Sequence, residues 1–206
     1  MSEPGGELLG AESAAPHRRG GATVWLTGLP GAGKSTIAAG LAERLLAADA
    51  GARVEVLDGD QMRAALSPTL GYSREDREEN VRRVGFVAEL LASHDVLVLV
   101  PVIAPYAASR AAVREHHRRR GTRYLEIHVA TPVEICARRD VKGLYAAQAA
   151  GRLRGLTGVD DPYEAPAAPD LRLDTDGRTV AESVDQAWRS LLDRGLIQAG
   201  RVRART

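Results

Sequence analysis

The residues Gly28-Leu29-Pro30-Gly31-Ala32-Gly33-Lys34-Ser35-Thr36 satisfy the pattern GxxxxGK(S/T). The chemistry that suits this pattern is a grip on the phosphates of a nucleotide. Glycines let the backbone turn so that successive N–H groups aim at one anion, and a helix opening at Lys34 adds the positive end of its dipole. Lys34 can reach the β- and γ-phosphates as a point charge, and the Ser35 hydroxyl can ligate Mg2+. All nine residues are therefore candidate ATP-binding positions, with Lys34 catalytic and Ser35 a metal ligand. A glycine-rich turn before a core helix is the blander alternative, and it leaves a lysine and a serine in register without a purpose.

Two more groups of residues carry chemistry. Asp58-Gly59-Asp60 ends a predicted strand, and in a parallel sheet the carboxyl ends of strands line the ligand crevice. Two carboxylates there can orient Mg2+-bound water or take a proton from an acceptor hydroxyl. The alternative is an Asp-Gly turn with Asp60 capping the next helix; beside a phosphate-binding loop the functional reading is favoured. Downstream lie Arg63, Arg74, Arg77, Asn80, Arg82 and Arg83. Arg77, Asn80 and Arg83 are three apart and predict one helix face, suited to the oxygens of a phosphate or sulfate. For an arbitrary helix the better reading would be a solvated face paired with Glu75, Glu78 and Glu79.

The elements that must position these residues alternate along the chain. Ala22–Thr27, Arg53–Leu57, Val96–Val102, Tyr124–Val129 and Leu171–Asp174 read as strands. The patterns Lys34–Ala48, Arg74–Ser93 (with Ser73 as N-cap) and Thr179–Arg194 read as helices. Thr131-Pro132 reads as an N-cap followed by a proline at the first helical position. This predicts an α/β fold with helices on both faces of a parallel sheet. The stretch 140–169 breaks the alternation with glycines and prolines while carrying Lys142, Tyr145, Arg152, Asp160, Asp161 and Tyr163. It reads as a lid or substrate loop. Residues 1–21 read as a disordered lead-in, 22–197 as the domain with its lid near 138–169, and 198–206 as a tail.

Composition narrows the function. The chain has 206 residues, 28 basic against 27 acidic, a balance with no global pull toward nucleic acid or an anionic membrane. Only Lys34 and Lys142 are lysines. A single cysteine, Cys136, excludes an internal disulfide framework and a cysteine-rich zinc site. No apolar run reaches a membrane span and no signal peptide is evident, so the expected location is the cytoplasm. His94, His116, His117 and His128 show no metal-ligand spacing and read as surface or packing residues. Arg118-Arg119-Arg120 reads as a solvated helix end. The NKxD segment of a GTPase is missing and the chain is short for a motor or transporter, which leaves a small kinase with a second site for an acceptor.

From about residue 22 to 175 the chain resembles the adenylylsulfate kinases, P-loop enzymes that make 3′-phosphoadenylylsulfate. The resemblance rests on Gly28–Thr36, Leu57–Asp60 with Arg63, Leu70–Ser73, Asp76-Arg77 to Asn80 with Arg82-Arg83, Pro105-Tyr106 with Arg110, Arg139–Tyr145 and Gly155–Pro166. It implies a P-loop fold with a five-stranded parallel sheet, and ATP with Mg2+ as the donor. The implied acceptor is the ribose 3′-hydroxyl of adenylylsulfate. It also implies a homodimer. Asp60 would lie near the hydroxyl, with Asp58 beside it. Arg63, Arg77, Asn80 and Lys142 would bind the acceptor, with Ile103, Ala104 and Leu144 around it, and Arg138 would join the ATP side at the root of the lid.

This chain departs from the family pattern in three places. Ala104 stands where many members carry a serine regarded as a phosphorylated intermediate, which implies direct in-line transfer here. Ala107 stands where many carry arginine. Tyr72 fits one side of an aromatic pair around the acceptor's adenine, but Leu156 replaces phenylalanine on the other, a loss of about 1–3 kcal/mol of stacking. Two alternatives stay open: a related kinase with a different nucleotide acceptor, and a catalytically silent nucleotide-binding regulator.

Overall fold

A computed structural model describes residues 20–198. The chain runs β1 (Ala22–Thr27), α1 (Lys34–Ala48), β2 (Val54–Val56), α2 (Gly59–Leu66), α3 (Arg74–Ala92) and β3 (Leu97–Pro101). It continues as α4 (Ala107–Arg120), β4 (Arg123–Val129), α5 (Val133–Arg139), α6 (Leu144–Ala149), β5 (Leu171–Leu173) and α7 (Val180–Asp193). The lead-in and tail expected at the two ends lie outside the described residues, apart from Gly20, Gly21 and Gln198.

The five strands form one parallel sheet in the order β2-β3-β1-β4-β5. β1 lies at the centre and is buried along its whole length. Alternate residues serve opposite faces. Val24 and Leu26 join Ile37, Leu41, Ile127, Leu173 and Leu191 in a core beneath α1 and α7. Trp25 joins Val81, Val84, Val98, Val100 and Val113 beneath α3 and α4. The connection from β1 runs to β2 at one edge, and that from its neighbour β3 runs to β4 on the other side, so a crevice opens at their carboxyl ends, where Gly28 begins the loop.

Several boundaries differ from the sequence reading. α5 begins one residue late, with Pro132 in the N-cap position. Thr131 does not cap it, because its hydroxyl donates to the Ala32 carbonyl at 2.8 Å and lies 2.5 Å from the Thr175 hydroxyl. Asp58, not Asp60, caps α2: its Oδ1 accepts from the N–H groups of Asp60 and Gln61 at 3.0 and 3.4 Å. The stretch 140–169 holds a helix, α6, whose first turn is capped by Asp140. The Asp140 carboxylate accepts from the N–H groups of Tyr145 and Ala146.

Candidate active site

The loop from Gly28 to Gly33 passes under the end of β4. A Cβ on Gly28 would sit 2.5 Å from the Val129 carbonyl, and Gly33 has φ 102° where it opens α1. Glycine is therefore required at both positions for different reasons, space at one and conformation at the other. The loop's carbonyls are engaged by protein donors. The Lys34 ammonium donates to Gly28 and Leu29 at 2.9 and 2.8 Å, the Tyr145 hydroxyl donates to Pro30 at 2.9 Å, and the Thr131 hydroxyl holds Ala32. Among the described residues the N–H groups of Gly31, Gly33, Lys34, Ser35 and Thr36 have no protein acceptor, while that of Ala32 is used by Leu29. These unmatched donors at a helix start form an anion site. Lys34 is buried, and desolvation brings its pKa down to about 8.

Ser35 and Asp58 meet beside this nest. The Ser35 hydroxyl donates to Asp58 Oδ2 at 3.1 Å. Mg2+ favours one or two such oxygen ligands completed by waters and phosphate, so this donor set fits the ion. Asp60, on the first turn of α2, pairs with Lys142 from the turn before α6; both side chains are largely exposed.

Other predicted positions line the β2–β3 side. Tyr72 is 70% exposed, and the Arg63 guanidinium stacks over its ring at 4.3 Å while bonding to the Gly71 carbonyl. Asn80 presents an amide oxygen that is buried and unpartnered, an arrangement that costs free energy unless something else donates to it. Arg77 is buried and spans two segments. It donates to the carbonyls of Tyr72 (2.9 Å) and Gly155 (2.7 Å) and to the Thr157 hydroxyl (2.9 Å), with Asp161 at 3.7 Å. Arg83 instead bonds Glu79 and the Leu66 carbonyl, and Arg82 pairs with Glu79. The expected Arg77–Asn80–Arg83 strip thus divides, and the ion-pair alternative describes Arg82 and Arg83.

Ile103 is half-buried and its carbonyl accepts from Thr27. Ala104 is buried with φ 44°. Leu144 is half-buried against the core, and Leu156 is 4% exposed within it. Arg138 is exposed on α5. Its neighbour Arg139 reaches Ala32 and Thr175 at 3.4 Å.

The segment 155–164 is strapped down. Asp160 holds the N–H groups of Gly155 and Leu156, Glu164 bonds Pro105 and Ala107, Arg110 donates to the Glu164 carbonyl at 2.6 Å, and the Tyr163 hydroxyl meets Thr27.

A family model described as Adenylylsulphate kinase matches residues 20–174. The chain belongs to the adenylylsulphate kinase family. The adenylyl-sulfate kinase of Synechococcus sp. (strain JA-3-3Ab) is 49% identical over 180 residues, covering 87% of this chain and 99% of the relative. That of Myxococcus xanthus (strain DK1622) is 50% identical over 182 residues, covering 88% and 97%. Among solved structures, the Mycobacterium tuberculosis APS kinase CysC in complex with AMPPNP and APS has a TM-score of 0.78 at 47% identity, covering 83% of this chain and 97% of that one. A sugar kinase from Janibacter sp. HTCC2649, 20% identical with a TM-score of 0.58, shares the fold alone.

Sequence reasoning singles out Thr131, Asp140, Tyr145 and Tyr163 but not what they hold, and it assigns Thr157 no role; in the structure of this adenylylsulphate kinase these residues hold the site from behind. Their signal in the sequence is weak, since a lone hydroxyl in a glycine-rich stretch does not announce its acceptor. The histidines keep their packing roles. His117 bonds the Val113 carbonyl and Thr23. Burial, with Arg172 and Arg110 nearby, holds His128 down at about 4, so it is neutral near pH 7. No helix among the described residues is long and apolar enough to cross a membrane.

Proposed function

We propose that this protein transfers the γ-phosphoryl group of ATP to the 3′-hydroxyl of adenosine 5′-phosphosulfate, releasing ADP and the 3′-phosphorylated product. One observation carries the reading: a nest of unpaired main-chain N–H groups lies beside Asp58 and Asp60, in a chain that matches the adenylylsulphate kinase model along 20–174.

The nest and Lys34 take the ATP phosphates, with Arg138 beside the donor. Ser35 and Asp58 would hold Mg2+, which when bound neutralises charge on the phosphates. Asp60 orients the acceptor hydroxyl in line with the γ-phosphorus and accepts its proton. Arg63, Arg77, Asn80 and Lys142 form the acceptor side: Arg63 and Lys142 meet its anionic groups, the Asn80 amide oxygen accepts from one of its N–H or O–H groups, and Arg77 ties Tyr72 to Gly155 and Thr157 beside it, with Ile103, Ala104 and Leu144 along it. Tyr72 stacks on its base, with Leu156 behind. In the free protein Lys142 neutralises Asp60, and the acceptor's anion draws the lysine away and frees the carboxylate. Residues 138–169 act as a lid whose closure excludes water and limits idle ATP hydrolysis. Ala104 offers no nucleophile, so no phosphoryl group passes through that position. The same reading includes pairing of two chains, which sedimentation of the full chain tests, and a cytoplasmic setting that suits a lone buried thiol.

An acceptor panel tests the function. ADP release is measured with adenylylsulfate, with AMP and with cytidine nucleotides, omitting each substrate in turn. The expected result is turnover with adenylylsulfate far above the others. Background rates with adenylylsulfate and turnover of another nucleotide would move the assignment to a different acceptor. No ADP release with any acceptor would support a silent regulator.

A further inference from the structure

The anion nest depends on which way its peptide groups face, and at Pro30 and Ala32 two hydroxyls outside the motif make the shortest side-chain bonds that set that direction, with Arg139 at 3.4 Å a longer second donor to Ala32. A trans peptide group is planar, so its C=O and the following N–H point in opposite directions. A group that fixes the Pro30 carbonyl therefore also aims the N–H of Gly31, and one that fixes the Ala32 carbonyl aims the N–H of Gly33. The Tyr145 hydroxyl holds the first at 2.9 Å and the Thr131 hydroxyl holds the second at 2.8 Å. Both N–H groups are without a protein acceptor among the described residues. Pro30 itself has no N–H to contribute, so Gly31 is the first donor of the loop after Gly28 and Leu29.

We propose that Tyr145 and Thr131 are positioning residues of the phosphate-binding loop, holding the Pro30 and Ala32 carbonyls outward so that the Gly31 and Gly33 N–H groups face the nucleotide phosphates. Neither touches the ligand. Both are buried, so water cannot replace a lost hydroxyl without a cavity. Burial also pushes the Tyr145 phenol well up, so it stays a donor across the working pH range. Tyr145 stands on α6, which Asp140 caps through the N–H of Tyr145 itself. The nest is thus complete only while α6 is docked, which makes nucleotide grip and the placement of α6 one event.

The inference rests on the loop binding a nucleotide and does not depend on which acceptor is used. The test is calorimetric titration of Mg2+·ADP into wild type, Tyr145→Phe and Thr131→Val, with melting temperatures recorded for each. Each substitution removes one oxygen at nearly constant shape. The expected result is ADP affinity weakened up to about tenfold, the span of one neutral hydrogen bond, at temperatures where every variant is folded. In steady-state assays the KM for ATP rises while that for the acceptor holds. A merely structural hydroxyl would lower the melting temperature and leave ADP affinity alone; wild-type affinity in both variants, or in whichever of them folds, overturns the proposal. A protein that binds ADP yet phosphorylates no adenylylsulfate would remove the proposed function and leave this inference standing.

Discussion

Lys34 is one of two lysines among 28 basic residues, and its ammonium is shared between two loop carbonyls while burial lowers its pKa to about 8. A phosphate needs that ammonium charged. Below pH 8 it already is; above pH 8 the nucleotide must bring a proton with it. Nucleotide affinity is expected to fall as pH rises from 8 to 9.5, by up to about tenfold per unit. Calorimetry in buffers of different ionisation enthalpy will show proton uptake on binding; its absence would contradict a depressed Lys34. Stability runs the opposite way. The unfolded lysine binds its proton more tightly, so the unfolding free energy gains from this group as pH rises from 8 toward 10.5. Lys34→Ala is expected to cut transfer by at least about 100-fold, the size of losing one preorganised charge-stabilising donor, with the circular dichroism spectrum unchanged. Asn80→Ala removes a buried, unpartnered amide oxygen. It should raise the KM for the acceptor by about 1–3 kcal/mol equivalent and leave the KM for ATP in place; a change confined to ATP would contradict the acceptor side assigned here.

At the scale of elements, legibility followed the strength of local signals. β1 and α1 have the boundaries read from the sequence, Ala22–Thr27 and Lys34–Ala48, because a largely apolar strand, a glycine turn and a four-residue apolar period all agree. α7 starts where Thr179 and Glu182 form a reciprocal capping box. Thr179→Ala should cost about 1 kcal/mol, seen as a lower melting temperature, with transfer kinetics unaffected at permissive temperature. α6 was not legible: its cap comes from Asp140, across a turn containing Gly143, and its six residues are too few to show a period. Nor was the fate of Thr131, whose type suits an N-cap but whose hydroxyl is taken by Ala32 and Thr175. Long-range partners outcompeted the local rule. The arginines of α3 divide for the same reason. Three-residue steps join Arg77 to Asn80 and Asn80 to Arg83, but six residues turn the helix so that Arg77 and Arg83 stand about 120° apart, and Arg77 is drawn to Gly155 and Thr157, which lie far along the chain.

At the scale of the molecule, the sheet order 2-3-1-4-5 puts the carboxyl ends of the neighbours β1 and β3 where connections leave toward opposite sides. The phosphate nest grows from the end of β1. Asp58 and Asp60 follow β2, two strands away, and Lys142 and Tyr145 arrive from the segment after α5. The sequence announced the parallel sheet through alternation and the donor half of the site through one motif. The acceptor half was legible only through resemblance to a family, because its residues come from α2, α3 and a glycine-rich segment that no periodicity joins.

The account stands on two anionic nucleotides meeting in this crevice, one held by main-chain amides and the other by side chains. The most direct measurement is titration of adenylylsulfate into the full chain, with and without Mg2+·ADP, for wild type and Asn80→Ala. The account predicts saturable binding to wild type that is weakened by the substitution, while ADP binds both proteins alike. No association of adenylylsulfate with wild type under either condition would contradict it.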